Sequence, residues 1–306
     1  MDAIEDLSPE EITTLSLHDV RYLLESPSLL ESGTWSSDGE IRAQGLQEAL
    51  LDALSNSSWT YQAPLPLRVG RYAESLLQRI TDLETNAFQR LATNLQIFED
   101  RATIGEVDLM TSHPDGHLHI ELAVKLYLGL PQYSGSLDGW VGPNPRDTLG
   151  KKFRHLRDKQ LPLSSLEVTR KALGLKTAEP IAQHAWVKGY LFHHHGLPME
   201  LPDLVNPHHT HGWWTLDSDD WQPSASRDTE YCIPPKPFWI HTIPKGTPRY
   251  TDWNELLKAA APQIEQRLTA HVLEVEKGTE IIVSRGFIAS APWFDAAKTL
   301  TESLLP

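Results

Sequence analysis

Cysteine is almost missing from this chain, with one, Cys232, in 306 residues. A single thiol excludes an internal disulfide and any thiolate zinc cluster, and it favours a reducing compartment. Positive charge is in deficit too: 27 lysines and arginines stand against 41 aspartates and glutamates, a formal net charge of -14. That argues against a protein that coats nucleic acid by bulk attraction, which draws on lysine and arginine. No apolar run approaches the roughly 20 residues that span a bilayer, and the acidic start "MDAIEDLSPEE" carries no apolar stretch of a secretory signal. A soluble cytoplasmic protein is expected. The length is ample for a sizeable core, as one large domain or two smaller ones, without staples.

Several helices announce themselves. "SPEE" from Ser8 offers an N-cap, a proline at the first helical position and a glutamate at the third, ahead of Leu15, Leu17, Val20, Leu23 and Leu24. Pro27 ends that helix. Leu46, Ala49, Leu50 and Leu54 predict a second over 41–54, and "APLPLRVG" breaks the pattern. Leu76, Leu77, Ile80, Leu83, Phe88 and Leu91 predict a long helix from Gly70 or Arg71 towards Asn94.

The period then changes from 3.6 to 2. "LQIFED", "TIGEVDLM" and "HLHIELAVKLYLG" read as three strands, with the turn "HPDG" between the last two. Residues 144–159 read as a helix and "HAWVKGYLF" as a fourth strand, so an α/β fold with a mixed sheet is expected. After Gly196 come loops rich in proline, histidine and tryptophan, then a helix over 252–275 and a strand, "EIIVSRGFI". The chain divides into an N-terminal helical segment (1–62), a core (63–195) and a C-terminal extension packed on it (196–306).

The third strand poses the chemical question. Leu118, Ile120, Leu122, Val124, Leu126 and Leu128 form one face, while His117, His119, Glu121, Ala123, Lys125 and Tyr127 form the other. A two- or four-residue hairpin loop sets Asp108 opposite Glu121, with Cβ atoms about 4.5–5.5 Å apart. Leu109 and Val107 then share the apolar face with Ile120 and Leu122. In this register Glu106, Asp108 and Glu121 converge, and such hard oxygen ligands suit magnesium or manganese. A bound ion there would activate water and steady charge on a phosphate. The plainer reading is a polar face whose carboxylates are tied up by neighbouring arginines and lysines. Beyond it, nine basic residues against three acidic ones between Arg146 and Lys176 give a local charge of +6, either a solvated helix face or a surface for nucleic acid.

"GRYAESLLQ", "TIGEVDLM", "HIELAVKLYLG", "GWVGPNPRDTLGKKFRHLRDKQLPLS" and "VKGYLF", with "DVRYLLESPSLL" and "HGWW", resemble an uncharacterised family of bacterial proteins, a domain of unknown function grouped with the PD-(D/E)XK nuclease superfamily. The resemblance implies a restriction-endonuclease-like core of helix, three-strand meander, helix and strand, and magnesium-dependent cleavage of nucleic acid. It implies that Glu74 is the acid on the first core helix, and that Asp108 and Glu121 bind metal. It implies a lysine two residues after Glu121, where this chain has Ala123. Lys125 lies two residues further, roughly 13 Å from Glu121 at Cα instead of about 7 Å. Three outcomes stay open: Lys125 leans back over Ala123, Lys151 or Lys152 supplies the charge, or the site is not catalytic. On the basic helix, Lys151, Lys152, Arg154 and Gln160 are candidates for substrate contacts. Trp140 is a candidate for stacking a base, or a hydrophobic plug.

"FHHHG" and "HHTH" raise zinc, with His193 and His195 alternating towards one side of a strand end, although the spacing matches no established zinc pattern. Two functions are therefore carried forward: a metal-dependent phosphodiesterase, and a noncatalytic binding or assembly protein that kept the fold.

Overall fold

The computed structural model describes residues 7–305 apart from 63, 64, 66, 67, 84, 86, 220 and 224–227. The first six residues of the acidic start and most of "APLP" therefore lie outside the described residues. Helix α1 (Pro9–Glu25) begins with the expected capping box, Glu11 N–H donating to Ser8 Oγ at 3.3 Å and Ser8 N–H to the Glu11 carboxylate at 3.0 Å. Helix α2 (Ser37–Asn56) starts before its apolar periodicity because Ser36 caps Gly39 N–H at 3.1 Å. Helix α3 (Val69–Ile80) stops far short of Asn94. The Thr81 hydroxyl donates to the carbonyls of Leu77 and Gln78, at 2.9 and 3.0 Å, and closes the last turn. Phe88 and Leu91 thus belong to the approach and start of strand β1 (Gln89–Glu99), not to a helix.

A hairpin joins β1 to β2 (Ala102–His113) through Asp100 and Arg101, both at positive φ (46° and 72°), as a tight two-residue turn with right-handed twist requires. The Pro114–Asp115 loop joins β2 to β3 (Gly116–Gly129), and the observed pairs, from His113 with Gly116 to Leu109 with Ile120, follow the expected register. After β4 (Trp140–Val141) comes α4 (Leu149–His155), shorter than the predicted 144–159. Thr148 is its N-cap, and residues 144–147 form the loop before it. The helix continues as a wide π turn, Leu156–Gln160, then a 3-10 turn, Leu161–Ser165, before α5 (Glu167–Ala172).

β5 (Ile181–His194) runs parallel to β3 along its length, followed by β6 (His211–Leu216), β7 (Thr229–Cys232), α6 (Trp253–Arg267), β8 (Thr269–Glu276), β9 (Ile282–Ala289) and α7 (Ala291–Glu302). The helix expected over 252–275 breaks at Leu268, whose φ of +68° turns the chain into β8. One mixed sheet results, in the order β1-β2-β3-β5-β6-β9-β8-β7, with β4 on the end of β3. Its parallel centre, β3-β5-β6-β9, is flanked by antiparallel meanders.

The two faces carry different covers. Leu118, Ile120, Leu122, Val124, Leu126 and Leu128 pack with Leu76, Leu77, Ile80 and Leu50 from the N-terminal helices and Trp293 of α7. On the other face Ala123, Tyr127, Ala185, Val187 and Leu191 pack with Leu149 and Leu156, and further along Val272 and Ile288 pack on α6. Val107 departs from the expected pattern and joins Ile97, Met110 and Leu163, because β2 leaves β3 beyond Leu109. α1 has no cation in its last turn; β5 supplies one, Lys188 Nζ donating to the Ser26 carbonyl. Burial lowers this amine to about 8. No described helix is long and apolar enough to cross a membrane.

Candidate functional site

On the β2 side, described pairing of β3 stops at Ile120 and resumes only at Leu128, where β4 takes over. The acids sit at the mouth of this gap. Leu122 N–H donates to Asp108 Oδ2 at 2.8 Å, and Asp108 N–H to Glu121 Oε1 at 3.4 Å, so side chains take over where the main-chain ladder ends. His119 Nε2 donates to the same Glu121 oxygen at 2.8 Å, and the Gln160 amide nitrogen donates to the other. Glu121 and His119 have no exposed side-chain surface. Burial, and then the Glu121 charge beside it, push Asp108 up to about 8.

Glu74 on α3 is half-buried and pairs with Arg71 at 2.9 Å. Burial raises its pKa, the field of Glu106 adds to the rise, and Asp108 feels Glu74 in turn. Asp108 and Glu121 are therefore brought together, while Glu74 acts on Asp108 through its field and has Arg71 as its hydrogen-bond partner.

Lys125 does not lean back. Its Nζ lies 2.6 Å from Asp147 Oδ2, which also accepts from Tyr127 Oη at 3.3 Å. Lys152 is supplied by α4 instead, the helix whose Leu149 and Phe153 share a cluster with Ala123. Burial and the Lys125 charge lower its pKa, while Glu121, Asp108 and Asp147 act to raise it. Its Nζ donates to Gln160 Oε1 at 2.7 Å. Because α4 passes into a π turn, a form frequent at functional sites, Gln160 comes to lie between Lys152 and Glu121.

A family model, Domain of unknown function (DUF1853), matches residues 18–289. The chain belongs to the DUF1853 family. No curated protein and no solved structure matches it.

In this DUF1853 chain the remaining candidates scatter. Arg154 makes a two-pronged pair with Asp138, at 2.8 and 2.9 Å, and its side chain stays partly exposed. Trp140 is fully buried and donates its indole N–H to the Ser134 carbonyl at 2.9 Å, so it presents no face to a base. Arg157 pairs with Asp158. Lys151, Lys159 and Arg146 have no carboxylate partner among the described residues; Lys151 Nζ meets only the Arg146 carbonyl, at 3.4 Å. Three participants escaped the sequence reading: His119 as a donor to Glu121, Asp147 as the partner of Lys125, and Asp138 as the partner of Arg154. Alternation had already set His119 on the Glu121 face; nothing in the spacing singled out the other two.

Proposed function

We propose that this protein is a divalent-metal-dependent phosphodiesterase acting on nucleic acid, with a core of the PD-(D/E)XK, restriction-endonuclease-like type. The observation that carries the reading is the juxtaposition of Asp108 and Glu121 where β2 and β3 part, with Lys152 of α4 tied to Glu121 through Gln160. The donor set fits magnesium or manganese: both groups offer carboxylate oxygens, and Asp108 Oδ1 accepts no hydrogen bond among the described residues. The element order supports the same core: α3, the meander β1-β2-β3, α4, and β5 parallel to β3.

Such an ion would supply Lewis acidity and an activated water. The chain's own groups do the rest. His119 and the Asp108 N–H hold Glu121 in one orientation. Lys152 brings positive charge to the place where a phosphate gains negative charge, and Gln160 holds that ammonium beside Glu121. Lys151, Lys159 and Arg146 are suited to backbone phosphates.

The test is incubation of purified protein with single-stranded, duplex and branched DNA, and with RNA, in magnesium or manganese, beside an Asp108→Ala variant. Cleavage that the variant lacks is expected; no cleavage and no metal uptake would overturn the reading. The second reading, a noncatalytic binding or assembly protein of the same fold, is favoured by one observation: Lys152, Gln160 and Glu121 already satisfy one another. It predicts nucleic-acid or protein binding without turnover.

A further inference from the structure

Five histidines, His193, His194, His195, His209 and His211, fall into two groups near the ends of β5 and β6. The expectation that His193 and His195 share one side fails, because β5 ends at His194 and their partners differ. His193 and His209 lie with rings 5° from parallel and their Nε2 atoms 3.2 Å apart. His209 Nδ1 donates to the Asn206 carbonyl at 2.6 Å, so its Nε2 carries the lone pair and His193 supplies the shared proton. These nitrogens are occupied by each other.

The neighbouring group is arranged differently. His194, His195 and Asp219, the last just beyond β6, each bring one ligand atom within 4.8 Å of the others. His195 Nε2 stands 3.4 Å from Asp219 Oδ2. That is long for a charge-assisted hydrogen bond, about 2.7–2.9 Å. It is, however, the corner-to-corner spacing of a tetrahedron whose centre lies about 2.0–2.1 Å from each ligand. Asp219 Oδ2 also accepts Leu216 N–H at 3.2 Å and the Thr215 hydroxyl at 3.1 Å, which fixes the direction of the carboxylate. Trp221 stacks on His195 at 4.3 Å and Trp214 stands edge-on to His194 at 4.7 Å, which sets both ring planes.

We propose that His194, His195 and Asp219 form a zinc site separate from the acidic centre. Two imidazoles and one carboxylate suit a borderline ion of the zinc type, whereas magnesium takes oxygen. His194 Nδ1 accepts Gly196 N–H at 3.2 Å, and its Nε2 makes no hydrogen bond among the described residues. All three residues are half-buried, so the fourth position stays open to a water or a small ligand. His194 also borders a cleft of about 230 Å³, lined by Tyr133, Leu216, Phe294 and Lys298. Glu121 pairs with Ala185, nine residues before His194 on β5, which puts the two centres about 30 Å apart along the strand.

The experiment uses the full chain, stripped with chelator and titrated with zinc alone and with cobalt(II) alone. One equivalent of zinc, and the visible absorption of four-coordinate cobalt, are expected in the wild type, in His193→Ala and in Asp108→Asn/Glu121→Gln, and are lost in His195→Ala and Asp219→Asn. No zinc uptake by the wild type overturns the proposal. So does uptake that survives in both His195→Ala and Asp219→Asn, or that disappears with the acidic pair. Zinc X-ray absorption on the wild type needs no variant to fold: a shell of two imidazoles with oxygen is expected, and an all-oxygen shell refutes the assignment.

Discussion

Lys152 Nζ lies 2.7 Å from Gln160 Oε1 while the same amide donates through its nitrogen to Glu121, so one glutamine ties a cation on a helix to a carboxylate on a strand. Lys125, the lysine nearer in sequence, spends its charge on Asp147. Substitution separates the two. Lys152→Met should lower metal-dependent cleavage by about 100-fold or more, the scale of one electrostatic contact to developing charge. Lys125→Met should leave cleavage within about tenfold. Single-turnover rates on the substrate found by the cleavage screen measure both, and equal losses would remove Lys152 from its assigned part.

Asp108 and Glu121 set two carboxylates together in a poorly solvated gap, an arrangement that costs stability until a cation joins it. In chelator, Asp108→Asn should therefore unfold at the same or a higher temperature than the wild type. Magnesium should raise the melting temperature of the wild type but not of the variant, since only a folded site that binds the ion gains from it. Differential scanning calorimetry with and without magnesium checks both statements.

Asp19 supplies a dependence on pH that owes nothing to metal. It is wholly buried beneath Tyr72 and Thr242, whose hydroxyls each donate to Oδ2 at 3.0 Å, while Thr242 N–H donates to Oδ1 at 3.1 Å. Burial lifts it to about 7. A carboxyl raised on folding contributes fully below its unfolded pKa, and that contribution is lost as pH rises through the folded value. Wild-type stability should fall between about pH 4 and 7, by at most about 1.4 kcal/mol per unit from this group. Asp19→Asn should flatten that slope in urea titrations run in chelator.

Trp140 of β4 is fully buried in the cluster that holds Tyr127 and Ala123 of β3. Trp140→Ala should cost about 3–5 kcal/mol in chemical denaturation, the usual price of emptying so large a buried site. Trp140→Phe should cost less, and should leave nucleic-acid affinity unchanged in protein that remains folded.

What the sequence made legible was local. The β2–β3 register could be read because the Pro114–Asp115 turn and the alternation from Leu118 to Leu128 constrain each other within a few residues. The capping box of α1 is equally short-range. The pairing of Lys125 with Asp147 was hidden, because a loop 22 residues away decides it. The sequence predicts helix where β8 lies, because the break at Leu268 uses neither glycine nor proline and "TAHVLEVE" carries apolar residues at spacings a helix also allows. The π turn was hidden too: widening one turn leaves no mark on composition, yet it determines where Gln160 ends up.

The contacts of β6 reach further than its six residues suggest. It is hydrogen-bonded to β5 on one side and to β9 on the other, so the strands that follow the proline- and histidine-rich stretch share a ladder with those that precede it. A protein cut after His195 would expose the end of β5 as a raw edge, inviting self-association. Residues before and after that stretch therefore share one hydrogen-bonded sheet, and a cut between β5 and β6 breaks the ladder on both sides of β6.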